Sequence, residues 1–209
     1  MAARCLFVLD RGIARGLFGL RAEGLEHLPV EAPFVIAPNH LSYLDPFAIA
    51  AALGYRRLRS TYWGGWAGAA FGNPLNRLVS RLAQVLPVDP DRASVSSLAF
   101  AAALLKREKN LVWFPEGQRS PDGQLQPLQT GIGMLLDHFR VPVVPVFIRG
   151  THEAMPPGQA QPRPKKVTVT FGRPLNVDDL EWQGEGEEPQ DRVVRALRER
   201  IAELERRNT

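Results

Sequence analysis

Cysteine is nearly missing from this chain: Cys5 is the one example in 209 residues. A lone thiol excludes an internal disulfide framework and fits a reducing compartment. Histidine is scarce as well. His27, His40, His138 and His152 are scattered with no paired spacing, so neither a zinc site nor any other metal or cofactor is expected. No apolar run reaches the roughly eighteen residues that a bilayer-spanning helix needs. A signal peptide is excluded too, because Asp10, Arg11 and Arg15 interrupt the apolar core it would require. Finally, there is no zinc finger, RNA-binding aromatic signature or dense Lys/Arg cluster, which argues against nucleic acid as a partner. The expected location is cytoplasmic, peripheral on the inner face of a membrane.

What is present reads as an ordinary globular protein. The chain is 44% hydrophobic and 23% charged, and its length suits a single domain, 1–209, with a substantial core. Its net charge of +4 is compatible with an anionic membrane surface or with acidic small substrates. Short apolar runs at 34–37, 59–63, 84–88, 110–114, 143–148 and 167–171 alternate with helical patterns at 46–53, 74–83, 92–107, 130–139 and 190–206. That alternation predicts an α/β fold with a largely parallel sheet covered by helices. The run 167–171 alternates apolar and polar residues and is expected at an edge of the sheet. Residues 155–165 and 181–190, rich in Pro and in Gly and acid respectively, read as exposed loops.

Residues 4–20 predict an amphipathic N-terminal helix. Leu6, Leu9, Ile13, Leu17 and Leu20 fall on one stripe, and Arg4, Arg11 and Arg15 on another. Such a helix can lie in the interface of an anionic membrane, or simply pack on its own domain. The stretch Trp63-Gly64-Gly65-Trp66-Ala67-Gly68-Ala69-Ala70-Phe71 has two readings as well. It is either a greasy loop for an acyl chain or membrane, or core aromatics joined by glycine turns.

Chemistry concentrates in two places. The first is Asn39-His40-Leu41-Ser42-Tyr43-Leu44-Asp45, between the run 34–37 and a helix that Asp45 and Pro46 are expected to cap and start. Five residues separate His40 from Asp45, so they share no helix face, but a loop that folds back brings them together. A carboxylate on one imidazole nitrogen would then let the other take a proton from a hydroxyl. The alternative is a loop histidine beside an N-cap. The second place is Pro115-Glu116-Gly117-Gln118-Arg119-Ser120, which follows the run 110–114. Arginine there offers a planar fork suited to phosphate, or a surface ion pair with Glu116. Both loops leave strand ends, where open α/β sheets build their sites.

Asn-His-x-x-x-x-Asp followed by Phe-Pro-Glu-Gly-x-Arg-Ser resembles the glycerophospholipid acyltransferase family, of the lysophosphatidic acid acyltransferase or PlsC type. Val141-Pro142-Val143-Val144-Pro145-Val146 resembles that family's fourth block. The likeness covers residues 24–175 as the acyltransferase core, with 1–23 left as an amphipathic membrane-contacting segment and 176–209 as a C-terminal loop and surface helix. It implies a glycerol-3-phosphate acyltransferase-like fold. It also implies transfer of a fatty acyl group from a thioester, acyl-CoA or acyl carrier protein, to a lysophospholipid hydroxyl. His40 would be the general base and Asp45 its partner, with Asn39, Glu116, Gly117 and Arg119 binding substrate and Arg92 assisting. The chain departs from the family at Gln118, where Thr is usual, at Gln129, where a lysine is often found, and at Arg92, displaced from its usual place beside Asp89. These departures bear on the acceptor and leave open an aminolipid acceptor. A peripheral membrane-binding module without catalysis is the reading from outside the enzyme class.

Overall fold

The computed structural model describes residues 2–66, 72, 74–88, 93–159 and 161–208. In chain order the elements are α1 (Ala2–Phe18), β1 (Arg21–Glu23), a 3-10 turn (Leu25–His27), β2 (Val35–Pro38), α2 (Asp45–Leu53), α3 (Tyr55–Leu58) and β3 (Thr61–Trp66). They continue with α4 (Pro74–Leu82), β4 (Val85–Val88), α5 (Ala93–Leu105), β5 (Asn110–Val112), α6 (Thr130–Phe139) and β6 (Val143–Arg149). The last are α7 (Thr151–Ala154), β7 (Thr168–Phe171), α8 (Val177–Gln183) and α9 (Pro189–Arg207). One seven-stranded sheet runs in the order β1-β7-β6-β2-β5-β3-β4. Every described pairing is parallel except β6 with β7. The predicted single α/β domain, helix-covered and largely parallel, with an N-terminal helix, is what forms.

Strand pleating divides the core into two layers. Val35 and Ala37 of β2 point to one face and Ile36 to the other; Leu111 and Val112 of β5 split the same way. One face packs against α5, α6 and the stripe Val193, Leu197, Ile201 and Leu204 of α9. The other packs against α1 and α2 through Phe18, Ala48, Ile49 and Leu53. Burying each Leu or Ile side chain stabilises the fold by about 1.5–3 kcal/mol, so both helical layers are firmly held.

This division makes the crevice. β2 and β5 are neighbours, pairing Val35 with Leu111 and Ile36 with Val112. The chain leaving β2 turns into α2 on one face, whereas the chain leaving β5 turns into α6 on the other. Two adjacent strands whose continuations diverge to opposite faces leave a gap at their carboxyl ends.

Several expectations need correction. β7 is not an edge: β1 lies outside it, and the sequence could not reveal that strand because Arg21-Ala22-Glu23 is short, polar and wholly exposed. The four-residue helices α3 and α7 are too short for periodicity to show. Residues 181–183 belong to α8, which buries Val177 and Leu180, so the predicted loop is shorter. Asp45 does not cap α2 from outside. It is the first helical residue, and its carboxylate turns back to the preceding loop. On α1 the core-facing residues are Phe7, Ala14 and Phe18, while Leu9, Ile13 and Leu17 of the predicted stripe are exposed. Trp63 is core, 3% exposed, and its indole N–H donates to the Ala83 carbonyl oxygen at 2.7 Å. Residues 67–71 of that glycine-rich stretch lie outside the described residues.

Candidate active site

β2 ends at Pro38; the Asn39 N–H makes one more bond to β6, to the Val146 carbonyl oxygen at 3.3 Å, and the Asn39 side chain extends that contact. Its amide donates to the Ile148 carbonyl oxygen at 3.0 Å and accepts the Ile148 N–H at 2.7 Å. Asn39 is fully buried, with both ends of its amide engaged by β6. Its side chain thus anchors the loop root.

From that root the chain turns over. Asp45 N–H donates to the Ser42 carbonyl oxygen at 3.2 Å, closing the turn that a five-residue offset needs. The buried Asp45 carboxylate sits inside this turn, and its Oδ2 accepts from His40 Nδ1 at 2.8 Å, Leu41 N–H at 2.6 Å and Ser42 N–H at 2.8 Å. Two backbone donors fix the carboxylate, and the carboxylate fixes the imidazole. With Asp45 ionised, Nδ1 carries the proton and Nε2 is left with its lone pair. The ring stacks on Phe114, centroids 4.1 Å apart, and its side chain is 18% exposed. His40 Nε2 makes no hydrogen bond among the described residues.

The second loop is tied to the first. Glu116, 1% exposed, accepts the His40 N–H through Oε1 at 2.6 Å and the Gln126 N–H through Oε2 at 2.9 Å. Ser120 N–H donates to the His40 carbonyl oxygen at 2.7 Å. Both backbone groups of His40 are therefore held by the loop that follows β5. Burial pushes the Glu116 carboxyl up to about 7, against the pull of those backbone donors. Glu116, expected to bind substrate, holds backbone of both loops on its two oxygens. Gly117 sits at φ +76°, and a Cβ there would lie 3.2 Å from Gln129 Cγ, so its role is also to shape the turn.

Arg119 reaches from this loop to the other. Its guanidinium carbon lies 3.6 Å from the centroid of Tyr43, in the His40 loop. Its Nη1 is buried and has no hydrogen-bond partner among the described residues. A buried guanidinium N–H left open in this way is a ready donor for an anionic group. Arg92 lies outside the described residues. Sequence reasoning missed Phe114 and Tyr43 as the aromatic supports of His40 and Arg119. Their adjacency to the two motifs was visible, but their facing was not. Ser42 is fully buried and donates to the Met155 carbonyl oxygen at 2.6 Å, so it is not presented as a nucleophile.

Residues 19–149 match the Acyltransferase family. The chain belongs to that family. Its curated relatives include proteins named 1-acyl-sn-glycerol-3-phosphate acyltransferase. One from Limnanthes alba is 30% identical over 179 residues, which cover 80% of this chain and 59% of the relative. The alpha form from Mus musculus is 31% identical over 184 residues, covering 80% and 61%. This member of the family thus spans about three fifths of those relatives' length. Among solved structures, the 1-acyl-sn-glycerophosphate acyltransferase PlsC from Thermotoga maritima superposes with a TM-score of 0.74 at 24% identity. The match covers 98% of this chain and 81% of the PlsC chain, and it establishes the acyltransferase fold here.

Proposed function

We propose that this chain transfers a fatty acyl group from a thioester to the free hydroxyl of a lysophospholipid, with 1-acylglycerol 3-phosphate going to phosphatidate. The observation that carries this reading is one crevice holding an Asp45-oriented imidazole with Nε2 open and, on the loop clamped to it, a guanidinium with Nη1 open. His40 Nε2 takes the proton of the acceptor hydroxyl while the oxygen attacks the thioester carbonyl carbon. The tetrahedral intermediate collapses, the C–S bond breaks, and the thiolate leaves. Imidazolium returns its proton to sulfur, whose thiol pKa of about 8.5 makes it an easy leaving group. Asp45 stabilises the imidazolium, and Arg119 holds the acceptor phosphate so that hydroxyl and carbonyl meet. Acyl-CoA and acyl carrier protein present the same thioester, and this chemistry serves either donor.

The reading includes work at the inner surface of a membrane, with 24–175 as the catalytic core, 1–23 as the membrane-contacting segment and 176–209 as a C-terminal loop and surface helix. Among the described residues no helix is long and apolar enough to cross a membrane. Support comes from α1, whose outward side carries exposed Val8, Leu9, Ile13 and Leu17, with exposed Phe47 on the neighbouring α2.

The test is a mass-spectrometric product assay with oleoyl-CoA and a panel of lysolipids, comparing wild type with His40→Ala. Phosphatidate from lysophosphatidate, formed by wild type and absent with the variant, is the expected result. Equal turnover by His40→Ala would overturn the mechanism. Gln129, standing where relatives of the PlsC type often have lysine, supports including aminolipid acceptors in the panel. Product from those alone would keep the chemistry and change the substrate.

A further inference from the structure

Between β5 and α6 the chain runs through residues 113–129 without helix or strand, and this loop carries both Glu116 and Arg119. From within, it is held by the Glu116 carboxylate and by Leu125 and Leu128, which sink into the core layer shared with Val193 and Leu197 of α9. From outside, it is held by α9 itself. The Arg198 guanidinium donates from Nη2 to the Leu125 carbonyl oxygen at 3.1 Å and from Nε to the Gln126 carbonyl oxygen at 3.4 Å. Arg198 lies beyond 19–149, the part of the chain that matches the family, and no motif marks it.

Close helix packing brings it there. Gly133 of α6 leaves room for α9: a Cβ on it would lie 2.4 Å from the Gln190 carbonyl oxygen and 2.9 Å from Val194 Cγ2. Val194 and Arg198 are one turn apart on the same face of α9. The contact that seats Val194 on Gly133 therefore carries Arg198 to the residues just before α6 begins.

What Arg198 holds leads to His40 by two routes. The Gln126 N–H donates to Glu116 Oε2 at 2.9 Å, and Glu116 Oε1 accepts the His40 N–H at 2.6 Å. The Gln126 side-chain amide donates to Ser120 Oγ at 3.2 Å, and the Ser120 N–H donates to the His40 carbonyl oxygen at 2.7 Å. Gln126 thus has its carbonyl on Arg198 and its N–H groups on paths to both backbone groups of the base. The guanidinium also acts through its charge. Burial raises the Glu116 carboxyl to about 7 and the Asp45 carboxylate adds to the rise, whereas Arg198 pulls it down. A protonated Glu116 presents an O–H where one of its two N–H partners needs an acceptor, so its hold on the loops loosens. We propose that Arg198 is a positioning residue for the acyl transfer, fixing the loop after β5 from outside so that Gln126 and Glu116 keep His40 in place. This rests on the acyl-transfer reading above, and the measurements separate the failure of one from the failure of the other.

The full chain is assayed for turnover of lysophosphatidate with oleoyl-CoA across pH, and its amide hydrogen exchange is read by mass spectrometry. Arg198→Gln should lower kcat by roughly tenfold to a hundredfold, the cost of misplacing a reacting group by up to about 1 Å. Its acceptor KM should change little, because Arg119 is seated on Tyr43 and not on Gln126. The acid limb of its kcat profile should move to higher pH, because Glu116 without the nearby positive charge takes up a proton sooner. The charged or titratable groups that bear on Glu116 are Asp45 of α2, His40, whose N–H it accepts, and Arg198 of α9. Arg195→Gln, exposed on the same helix, leaves all three in place and should match wild type. Arg198→Lys keeps the charge without the planar fork, so it should restore the acid limb and only part of the rate. Exchange in Arg198→Gln should quicken in 39–45 and 115–126 and stay unchanged in β6. Wild-type kcat and exchange in that variant would overturn the inference. A lower rate with faster exchange throughout the chain and an unmoved acid limb would make Arg198 purely structural and overturn it as well. If wild type forms no product from any lysolipid, the acyl-transfer reading fails, and unquickened exchange in 39–45 would overturn the positioning link on its own.

Discussion

Asp45→Asn is the substitution that asks most of the proposed mechanism. The amide is nearly the same shape as the carboxylate, and its oxygen can still accept from the backbone N–H groups of Leu41 and Ser42. What disappears is the negative charge 2.8 Å from His40 Nδ1, which matters only when the ring becomes imidazolium. At an effective dielectric of about 20, a unit charge pair at that separation interacts by about 6 kcal/mol, which sets a ceiling. The His40 side chain is 18% exposed, so water screens part of it. Retaining about half to two thirds of that value gives about 3–4 kcal/mol, or a fall in kcat of roughly 10²–10³ at 1.36 kcal/mol per decade. The assay follows thiol release from oleoyl-CoA with lysophosphatidate, with KM and kcat separated and the thermal transition recorded alongside. The acceptor KM should move little, because Asp45 is fully buried behind the His40 loop. A kcat within threefold of wild type in a folded Asp45→Asn variant would refute the charge-stabilised base, and with it the role given to the pair.

Three further outcomes follow from the geometry. Arg119→Ala should raise the KM for lysophosphatidate about 10–100-fold with a much smaller change in kcat, since charge-assisted bonds contribute about 1.5–3 kcal/mol each. An unchanged KM would move the phosphate elsewhere. Glu116→Gln leaves one acceptor oxygen for two partly buried N–H groups, of His40 and Gln126, and should destabilise the protein by about 1–3 kcal/mol in urea unfolding. Wild-type stability and turnover would show that the clamp is dispensable. Asp10→Asn tests the buried carboxyl of α1, raised to about 7 in the folded chain. The folded state holds a proton there that the unfolded state has released above about pH 4, so this group's contribution to stability falls as pH rises from about 4 to 7. The variant should lose that slope and exceed wild type by about 2 kcal/mol at pH 8, less than full desolvation because the site is partly exposed. Urea midpoints at about pH 5 and about pH 8 read it, and a wild-type slope in Asp10→Asn would reject the assignment.

The alternation of apolar runs and helical stripes was enough to determine an α/β sheet, because pleat and helix periods are written in local sequence. The segments holding His40 and Glu116 were placed at strand ends for the same reason: the apolar runs 34–37 and 110–114 each give way to a proline, Pro38 and Pro115, which brings no N–H to a ladder. Long-range pairing lay beyond it. β1 is three exposed residues, two of them charged, whose strand character comes entirely from β7, and that pairing removed β7 from the edge where its alternation had put it. The directions of side chains were decided by the same distant partners. Asn39 reads as a polar loop residue until Ile148, on a strand more than a hundred residues away, engages both ends of its amide. The contact of Glu116 with the His40 N–H likewise joins loops 76 residues apart in sequence. Residue types and local periods thus determined what the chemistry could be. Only the packing of β2 between β5 and β6 decided which polar groups were consumed in holding the loops and which, His40 Nε2 and Arg119 Nη1, were left open, because a buried hydrogen-bonding group takes whatever partner the fold brings to it.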